Sequence, residues 1–267
     1  MNYQKIANSI RCEILKMHYN SQSSHIGAAL SCVDILVVLF FSILRINPKN
    51  PKDFNRDRFI LSKGHATSAL YSTLSLRGYF NKSILKNYCC DDSTLPGHST
   101  KECVSGVEVS TGSLGHGLPI GNGIALAGKH DKLKYRVFVL LSDGECEEGS
   151  IWEAALFASH HKLDNLIVIV NYNKLQTFGR VKEVLNLEPF VDKWKSFGWE
   201  VKEVNGHNFK DMEKVFKTVP FKKNKPSIII AHTIKGKGIS FMENKLEWHY
   251  KSPNKEELNL ALQELNK

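Results

Sequence analysis

Cysteine is scarce in this sequence, and no two cysteines stand at metal-binding or redox spacing. The six cysteines are Cys12, Cys32, Cys89, Cys90, Cys103 and Cys146. None belongs to a C-x-x-C pattern, so zinc-ribbon and thioredoxin-like sites are disfavoured. The sequence also lacks a secretory hydrophobic segment at its start. Reduced thiols are typical of the cytosol, and we therefore expect a cytoplasmic protein.

Long hydrophobic segments are also lacking, with one exception. The stretch Ala28–Leu44 (AALSCVDILVVLFFSIL) is apolar except for Ser31, Asp34 and Ser42. A membrane-spanning helix needs about 20 apolar residues, and an acidic side chain is costly in lipid. We therefore expect no membrane insertion and predict a helix that is buried on most of its sides.

Acidic residues are outnumbered in the chain. Against 27 Asp and Glu there are 36 Lys and Arg, which gives a net charge of +9. The lysines are scattered, and no RNP-like or helix-turn-helix pattern accompanies them. We interpret the charge as a solvated surface and expect no nucleic-acid binding. Some of this charge would suit a phosphorylated substrate or cofactor.

Apolar segments and helical segments alternate along the chain, without internal repeats or low-complexity tracts. The predicted strands are residues 59–61, 136–141, 166–170, 199–204 and 227–231. This alternation predicts an α/β fold, namely a doubly wound, mostly parallel sheet with helices on both faces. We expect residues 1–267 to form a single domain.

Polar side chains follow two consecutive predicted strands. Asp143 comes after the strand that begins at Arg136, and Asn173 comes after the next strand, with a predicted helix, Gly149–His161, between them. Parallel strands joined by a crossover helix end at the same edge of a sheet, where α/β folds bind ligands. Carboxylate and amide oxygens suit Mg²⁺ or Ca²⁺ and not zinc. The alternative is that these residues are only turn or helix-cap residues.

Glycine-rich and acidic residues lie near the same edge. The stretch Thr111–Gly117 (TGSLGHG) opens a predicted helix, so its backbone amides form either an anion cradle or only a tight turn. Gly144 would let a diphosphate approach the backbone, because it has no Cβ. Glu147 and Glu148 either favour the positive end of the following helix or serve in proton transfer.

Four histidines lie in or beside predicted loops at strand ends or helix starts. They are His25, His65, His98 and His249. A single loop histidine is usually solvated or bonded to backbone, but four beside glycine, proline or tryptophan suggest a site. Imidazoles bind sugar hydroxyls and phosphates well, and the spacing of these four does not indicate zinc.

At this point the residues resemble a known family. The segments SDGECEEGSIWEA and LDNLIVIVNYNKLQTFG are similar to the thiamine diphosphate motif of the transketolase family, a Gly-Asp-Gly followed after about thirty residues by an Asn pair or Asp-x-Asn. The likeness extends over the whole chain through further ordered motifs. These are HIGAAL from His25, RDRFILSKGHATSALY from Arg56, LPGHST from Leu95, GVEVSTGSLGHGLPIGNGIALAGK from Gly106 and AHTIKGKGISFMENKLEWHY from Ala231.

The resemblance implies roles for individual residues. Mg²⁺ (or Ca²⁺) would be held by Asp143, the side chain of Asn173 and the carbonyl of Leu175. The implied thiamine diphosphate-binding residues are His65, Gly112, Ser113, Leu114, Gly144, Asn173 and His249. The implied catalytic residues are His25 and His98, facing the sugar oxygens, His249 near the substrate, and Glu148 at a subunit contact that links active sites.

Three positions depart from the family pattern. Ser142 replaces the first glycine of Gly-Asp-Gly, which is tolerable if its φ angle stays negative. Asn171 stands where an aspartate is usual and removes one negative charge beside the expected metal. Tyr250 follows His249 where glycine is usual, and we expect it to narrow the substrate entrance.

The chain resembles only the N-terminal part of the family. The pyrimidine-binding and C-terminal domains of full-length transketolases have no counterpart here. The resemblance therefore implies the N-terminal subunit of a split transketolase, which transfers a two-carbon ketol unit between phosphorylated sugars with a separately encoded partner, in a two-plus-two assembly. The alternatives are a relative acting on a different donor or specialised sugar, and a catalytically inactive cofactor-binding relative.

Overall fold

Five parallel strands form one sheet at the centre of the protein, in a computed structural model that describes residues 1–266. The sheet order is β1-β2-β3-β5-β4. The strands are β1 (Arg58–Leu61), β2 (Val137–Ser142), β3 (Leu166–Tyr172), β4 (Glu200–Asn205) and β5 (Ser227–His232). Each observed strand lies within one or two residues of its predicted range. The α/β prediction is confirmed.

Helices cover both faces of this sheet. Within residues 1–266 the α-helices are α1 (Tyr3–Ser21), α2 (Ile26–Ser31), α3 (Val33–Val38), α4 (Thr67–Arg77), α5 (Gly117–His130), α6 (Gly149–His160), α7 (Val181–Val184), α8 (Phe190–Ser196), α9 (Phe209–Phe216) and α10 (Lys255–Leu265). Side chains alternate between the two faces along each strand. Phe138 packs with α1–α4, α9 and α10, whereas Val139 packs with α5, α6 and α8.

Strands β2 and β3 bring the predicted metal ligands to one edge. They pair in parallel with Ser142 opposite Asn171, and α6 forms the crossover between them. Both strands are buried along their whole length, as expected for central strands of a parallel sheet. Asp143 and Asn173 therefore leave the sheet side by side at its carboxyl edge.

The prediction of one continuous helix over residues 28–44 is wrong, although its burial is correct. The segment forms α2 and α3, which are separated at Cys32, and then a π-helical turn at Leu39–Ile43. The helix breaks where the Ser31 hydroxyl donates to the Ala28 carbonyl and to Asn171 of β3 (2.7 Å). Within the described residues, no helix is long and apolar enough to cross a membrane.

Candidate functional site

A cavity of about 250 Å³ lies at the carboxyl edge of the sheet, around the ends of β1, β2 and β3. It gathers most of the residues predicted from the sequence. The predicted residues that line it are His65, Leu114, Asp143, Gly144, Glu148, Asn173, Leu175 and His249. The position agrees with the rule that open α/β sheets bind ligands beyond the carboxyl ends of their strands.

Asp143 is a buried carboxylate whose bonding partners are backbone amides. Its side chain accepts hydrogen bonds from the amides of Gly144 (2.9 Å) and Lys174 (2.6 Å). Burial raises the pKa of Asp143, and these two hydrogen bonds offset only part of the effect. No lysine, arginine or histidine among residues 1–266 forms an ion pair with it. A buried carboxylate in this state is stabilised by a bound cation.

Asn173 and Leu175 complete an oxygen donor set beside Asp143. The Asn173 amide oxygen accepts from the Leu175 amide (3.0 Å) and so faces the start of a tight hairpin, which is closed by pairing of Leu175 with Arg180. No group of three or more His, Cys, Asp or Glu that could hold a metal occurs in residues 1–266. One carboxylate with amide and carbonyl oxygens fits a hard cation such as Mg²⁺ that keeps several other oxygen ligands.

The glycine-rich stretch before α5 is used for close packing. Gly115 has φ +82°, and a Cβ there would lie 2.4 Å from the Ser150 hydroxyl. Its amide donates to the buried Glu145 (3.0 Å), so that amide does not serve as an anion donor. A Cβ at Gly112 would lie 3.6 Å from the His98 ring, which places Gly112 and the adjoining Ser113 beside the histidines. Of the two interpretations of this stretch, the tight turn holds at Gly115.

The four predicted histidines lie together at the mouth of the cavity. The ring of His25 lies 5.3 Å from that of His65, 5.9 Å from that of His98 and 5.0 Å from that of His249, measured between centroids. Glu148, in contrast, is an exposed residue of the cavity lining, at the start of α6 and outside this cluster. The structure therefore brings the histidines together and leaves Glu148 open to a neighbouring molecule.

Burial keeps the inner histidines neutral. Burial, with His98, Lys235 and Lys63, lowers the pKa of His25 to about 4, and burial with Lys235 lowers that of His249 to about 3. The pKa of His65 is also well below its usual value, through burial and then Lys63. Neutral imidazoles both donate and accept hydrogen bonds, so they suit sugar hydroxyls.

Lys63 and Lys235 are site residues that the sequence reasoning missed. Both are buried, with side chains in the cavity wall, and neither forms an ion pair within residues 1–266. Lys63 donates to the Asn171 amide oxygen (2.6 Å) and to the Ala28 carbonyl (3.2 Å). Burial and the nearby Lys63 lower the pKa of Lys235 to about 8. Each lysine follows a strand, as Asp143 does. The rule that polar residues after parallel strands lie at the ligand-binding edge of the sheet therefore applies equally to both lysines.

Asn171 explains why the charge of Lys63 is not compensated by a carboxylate within the described residues. Its amide oxygen accepts from Lys63 and from Ser31, and its amide nitrogen donates to Thr233. An aspartate here would form a buried ion pair with Lys63. The neutral amide satisfies the hydrogen bonds and leaves the positive charge available to a ligand.

Lys235 also sets the tautomer of His249. Its ammonium donates to Nδ1 of His249 (2.9 Å), and it contacts the carbonyl oxygens of Leu175 (3.3 Å) and Gln176 (3.0 Å). Because Nδ1 accepts, the proton of the neutral ring is on Nε2, which lies 2.9 Å from the Thr177 hydroxyl. His249 therefore directs its Nε2–H at the Thr177 hydroxyl in the cavity wall.

A buried network outside the cavity positions the segment that carries Lys235. The amide of Ile234 donates to Nε2 of His207 (2.8 Å), and Nδ1 of His207 lies 2.7 Å from Asp34. Asp34 is paired with the buried Arg11 (2.7 Å), which also donates to the Lys237 carbonyl (3.0 Å). The segment is thus fixed on both sides of Lys235.

Comparison with known proteins identifies relatives over nearly the whole chain. The family model "Transketolase, thiamine diphosphate binding domain" matches residues 2–265. The chain is 43% identical over 256 residues to one of the subunits of apulose-4-phosphate transketolase from Phocaeicola vulgatus, covering 96% of this chain and 91% of that protein. It is 40% identical over 267 residues to 6-deoxy-6-sulfo-D-fructose transketolase subunit SqwG of a Clostridium species, covering 100% and 97%.

Solved structures show the same backbone within larger chains. Transketolase from Campylobacter jejuni superposes with a TM-score of 0.93 at 34% sequence identity, and the match covers 100% of this chain but 43% of that one. The chain thus spans about two-fifths of such a single-chain transketolase.

We predict that acid destabilises the protein between about pH 6.5 and pH 4. Burial lowers the pKa of His18 to about 4, and an unfolded imidazole titrates near 6.5, so the unfolded state binds more protons in this window. The free energy of unfolding should therefore fall with decreasing pH, by up to roughly 1.4 kcal/mol per pH unit for each such histidine. Urea unfolding at several pH values measures this slope.

The control for this pH dependence is a pair of variants. His18→Gln should flatten the slope, whereas His130→Gln, at a side chain that is 86% exposed, should not. A slope in His18→Gln equal to that of the parent would contradict the assignment.

Proposed function

Because the chain belongs to the transketolase family, we propose that it is the N-terminal subunit of a split transketolase. With a partner subunit it transfers a two-carbon ketol unit between phosphorylated sugars, using thiamine diphosphate and Mg²⁺. Residues 1–267 act as one diphosphate-binding domain. We place the reaction in the cytoplasm, in keeping with six free cysteines.

The observation that carries this proposal is the charge arrangement of the cavity. On one side, Lys63 and Lys235 are buried cations without carboxylate partners, and on the other side Asp143 is a buried carboxylate without a cationic partner. A diphosphate with its divalent metal satisfies both sides at once. Lys63 and Lys235 would hold the diphosphate, and oxygens of Asp143, Asn173 and Leu175 would hold the metal.

The chain's own residues orient the reactants and hold protons. Thiamine diphosphate, when bound, supplies the nucleophilic carbon and electron sink for cleavage of the ketose. His249 donates from Nε2 to a substrate oxygen, because Lys235 fixes its tautomer. His25 would exchange hydroxyl protons, since neutral imidazole both accepts and donates. His98 would face the sugar oxygens beside it, and His65, which lines the cavity with Lys63, would contact the phosphates.

The partner is a separately encoded subunit with the pyrimidine-binding domain. The relative from Phocaeicola vulgatus, which this chain matches over 91% of its length, is named as one subunit of its enzyme. Exposed Glu148, beside the cavity, is where we expect a subunit contact that links active sites. We propose two copies of this chain with two copies of the partner.

A specialised phosphorylated sugar remains the alternative substrate, because the two relatives described above are named for different sugars.

Donor cleavage by the reconstituted pair tests the function itself. We expect ketose phosphate to be consumed only when this chain, its partner, Mg²⁺ and thiamine diphosphate are all present, in an assembly with the mass of two plus two subunits. Each component alone is the control. A pair that binds cofactor and metal but consumes no ketose would support the catalytically inactive alternative. A monomer of this chain that is fully active alone would contradict the requirement for a partner subunit.

Removal of the proposed metal ligands tests the diphosphate site. Asp143→Asn and Asn173→Ala should each weaken thiamine diphosphate binding by the pair at fixed Mg²⁺ by about 100-fold, close to 2.8 kcal/mol. Calorimetric titration measures the affinity, and thermal melting checks the fold. Asp192→Asn is the matched control, because that side chain is 71% exposed. Parent-like affinity in both site variants would overturn the metal assignment.

Lys63→Met separates ligand binding from stability. We predict that cofactor affinity falls at least about tenfold, because a buried positive charge facing the diphosphate is lost. The free energy of unfolding of the unliganded chain should change little, because the lost hydrogen bonds to Asn171 and Ala28 are offset by the removed cost of burying a charge. Calorimetry and urea unfolding measure the two quantities. A large loss of stability with unchanged affinity would show that Lys63 is purely structural.

A further inference from the structure

Tyr250 is an exposed aromatic side chain at the rim of the histidine cluster. Its ring is 60% exposed. It meets the His249 ring edge-on at 5.0 Å between centroids and lies 6.4 Å from the His25 ring. Its hydroxyl has no hydrogen-bond partner among residues 1–266. The ring therefore extends the wall formed by His25 and His249 outward.

The backbone that carries Tyr250 is held on both sides. The carbonyl of His249 accepts from the His25 amide (2.7 Å), which ties this segment to the start of α2. Beyond Tyr250, the ammonium of Lys251 lies 4.5 Å from the centre of the Trp248 ring. The Ser252 hydroxyl donates to the Ser23 carbonyl (2.6 Å). These contacts fix the Cα position of Tyr250, so its ring can move only by side-chain rotation.

A fixed aromatic wall beside polar groups is a common way to orient a ligand. The polar groups bond to its oxygens, and the ring packs against its carbon–hydrogen faces. His25 and His249 provide the polar groups here, and the exposed Tyr250 ring lies next to both of them.

We propose that Tyr250 determines substrate specificity, by limiting the length of phosphorylated sugar that reaches His25 and His249 and by packing against its carbon chain. The inference rests on the proposed function and names a selectivity residue within it. The ring, and not its hydroxyl, provides the discrimination. Shape selection by an apolar wall is worth about 10- to 200-fold between substrates that differ by one or a few carbons.

The test compares ketose phosphates of five, six and seven carbons on the cofactor-loaded pair. The measured ratio is the affinity for the seven-carbon sugar divided by the affinity for the five-carbon sugar. Tyr250→Gly should raise this ratio by roughly tenfold. It should leave thiamine diphosphate affinity at the parent value, since Tyr250 lies outside the diphosphate cavity. Tyr250→Phe should keep the parent's ratio. Calorimetry gives the dissociation constants, and kcat/KM gives the same ratio in turnover.

Phe54→Gly is the matched control, because Phe54 is 78% exposed and precedes β1 at the opposite edge of the sheet. An unchanged ratio in Tyr250→Gly would overturn the proposal, and so would a Tyr250→Phe ratio equal to that of Tyr250→Gly. Failure of the proposed function can be distinguished from failure of the specificity role of Tyr250. If no ketose is consumed but the dissociation constants shift as predicted, the specificity role stands and the transferase assignment falls.

Discussion

Two buried ammonium groups, which have no carboxylate partner within residues 1–266, are the constraint on which this site depends. Burial of an unpaired charge costs several kcal/mol, and a chain selected only for stability would pair it or replace it. Lys63 and Lys235 instead bond to neutral oxygens and to the neutral ring of His249. The positive potential that they create in the cavity favours an anionic ligand.

The same constraint shapes the neighbouring groups. Burial, together with the lysines, lowers the pKa values of His25 and His249, so these rings add no charge of their own to the site. Asn171 belongs to the same arrangement, since an aspartate there would pair with Lys63. Asn171 therefore has a structural consequence: Lys63 donates to a neutral amide, and no carboxylate within residues 1–266 neutralises its charge.

Much of the fold and part of the site could be predicted from the sequence. The ends of short apolar runs predict where the strands end. Because two neighbouring strands end side by side, they place Asp143 and Asn173 together. The break at Cys32 could not be predicted, because it depends on a hydrogen bond between Ser31 and a distant strand. Lys63 and Lys235 were missed because lysine is usually exposed and its burial is a tertiary property. The Gly115 amide is bonded to Glu145, a contact that local spacing does not reveal.

The most direct measurement of the central claim is a crystal structure of this chain with its partner, thiamine diphosphate and Mg²⁺. The account predicts diphosphate oxygens within hydrogen-bonding distance of Lys63 and Lys235. It also predicts a metal ion bound by the side chains of Asp143 and Asn173 and by the Leu175 carbonyl. A diphosphate bound elsewhere, with both lysines still bonded only to this chain's own oxygens and to His249, would contradict it.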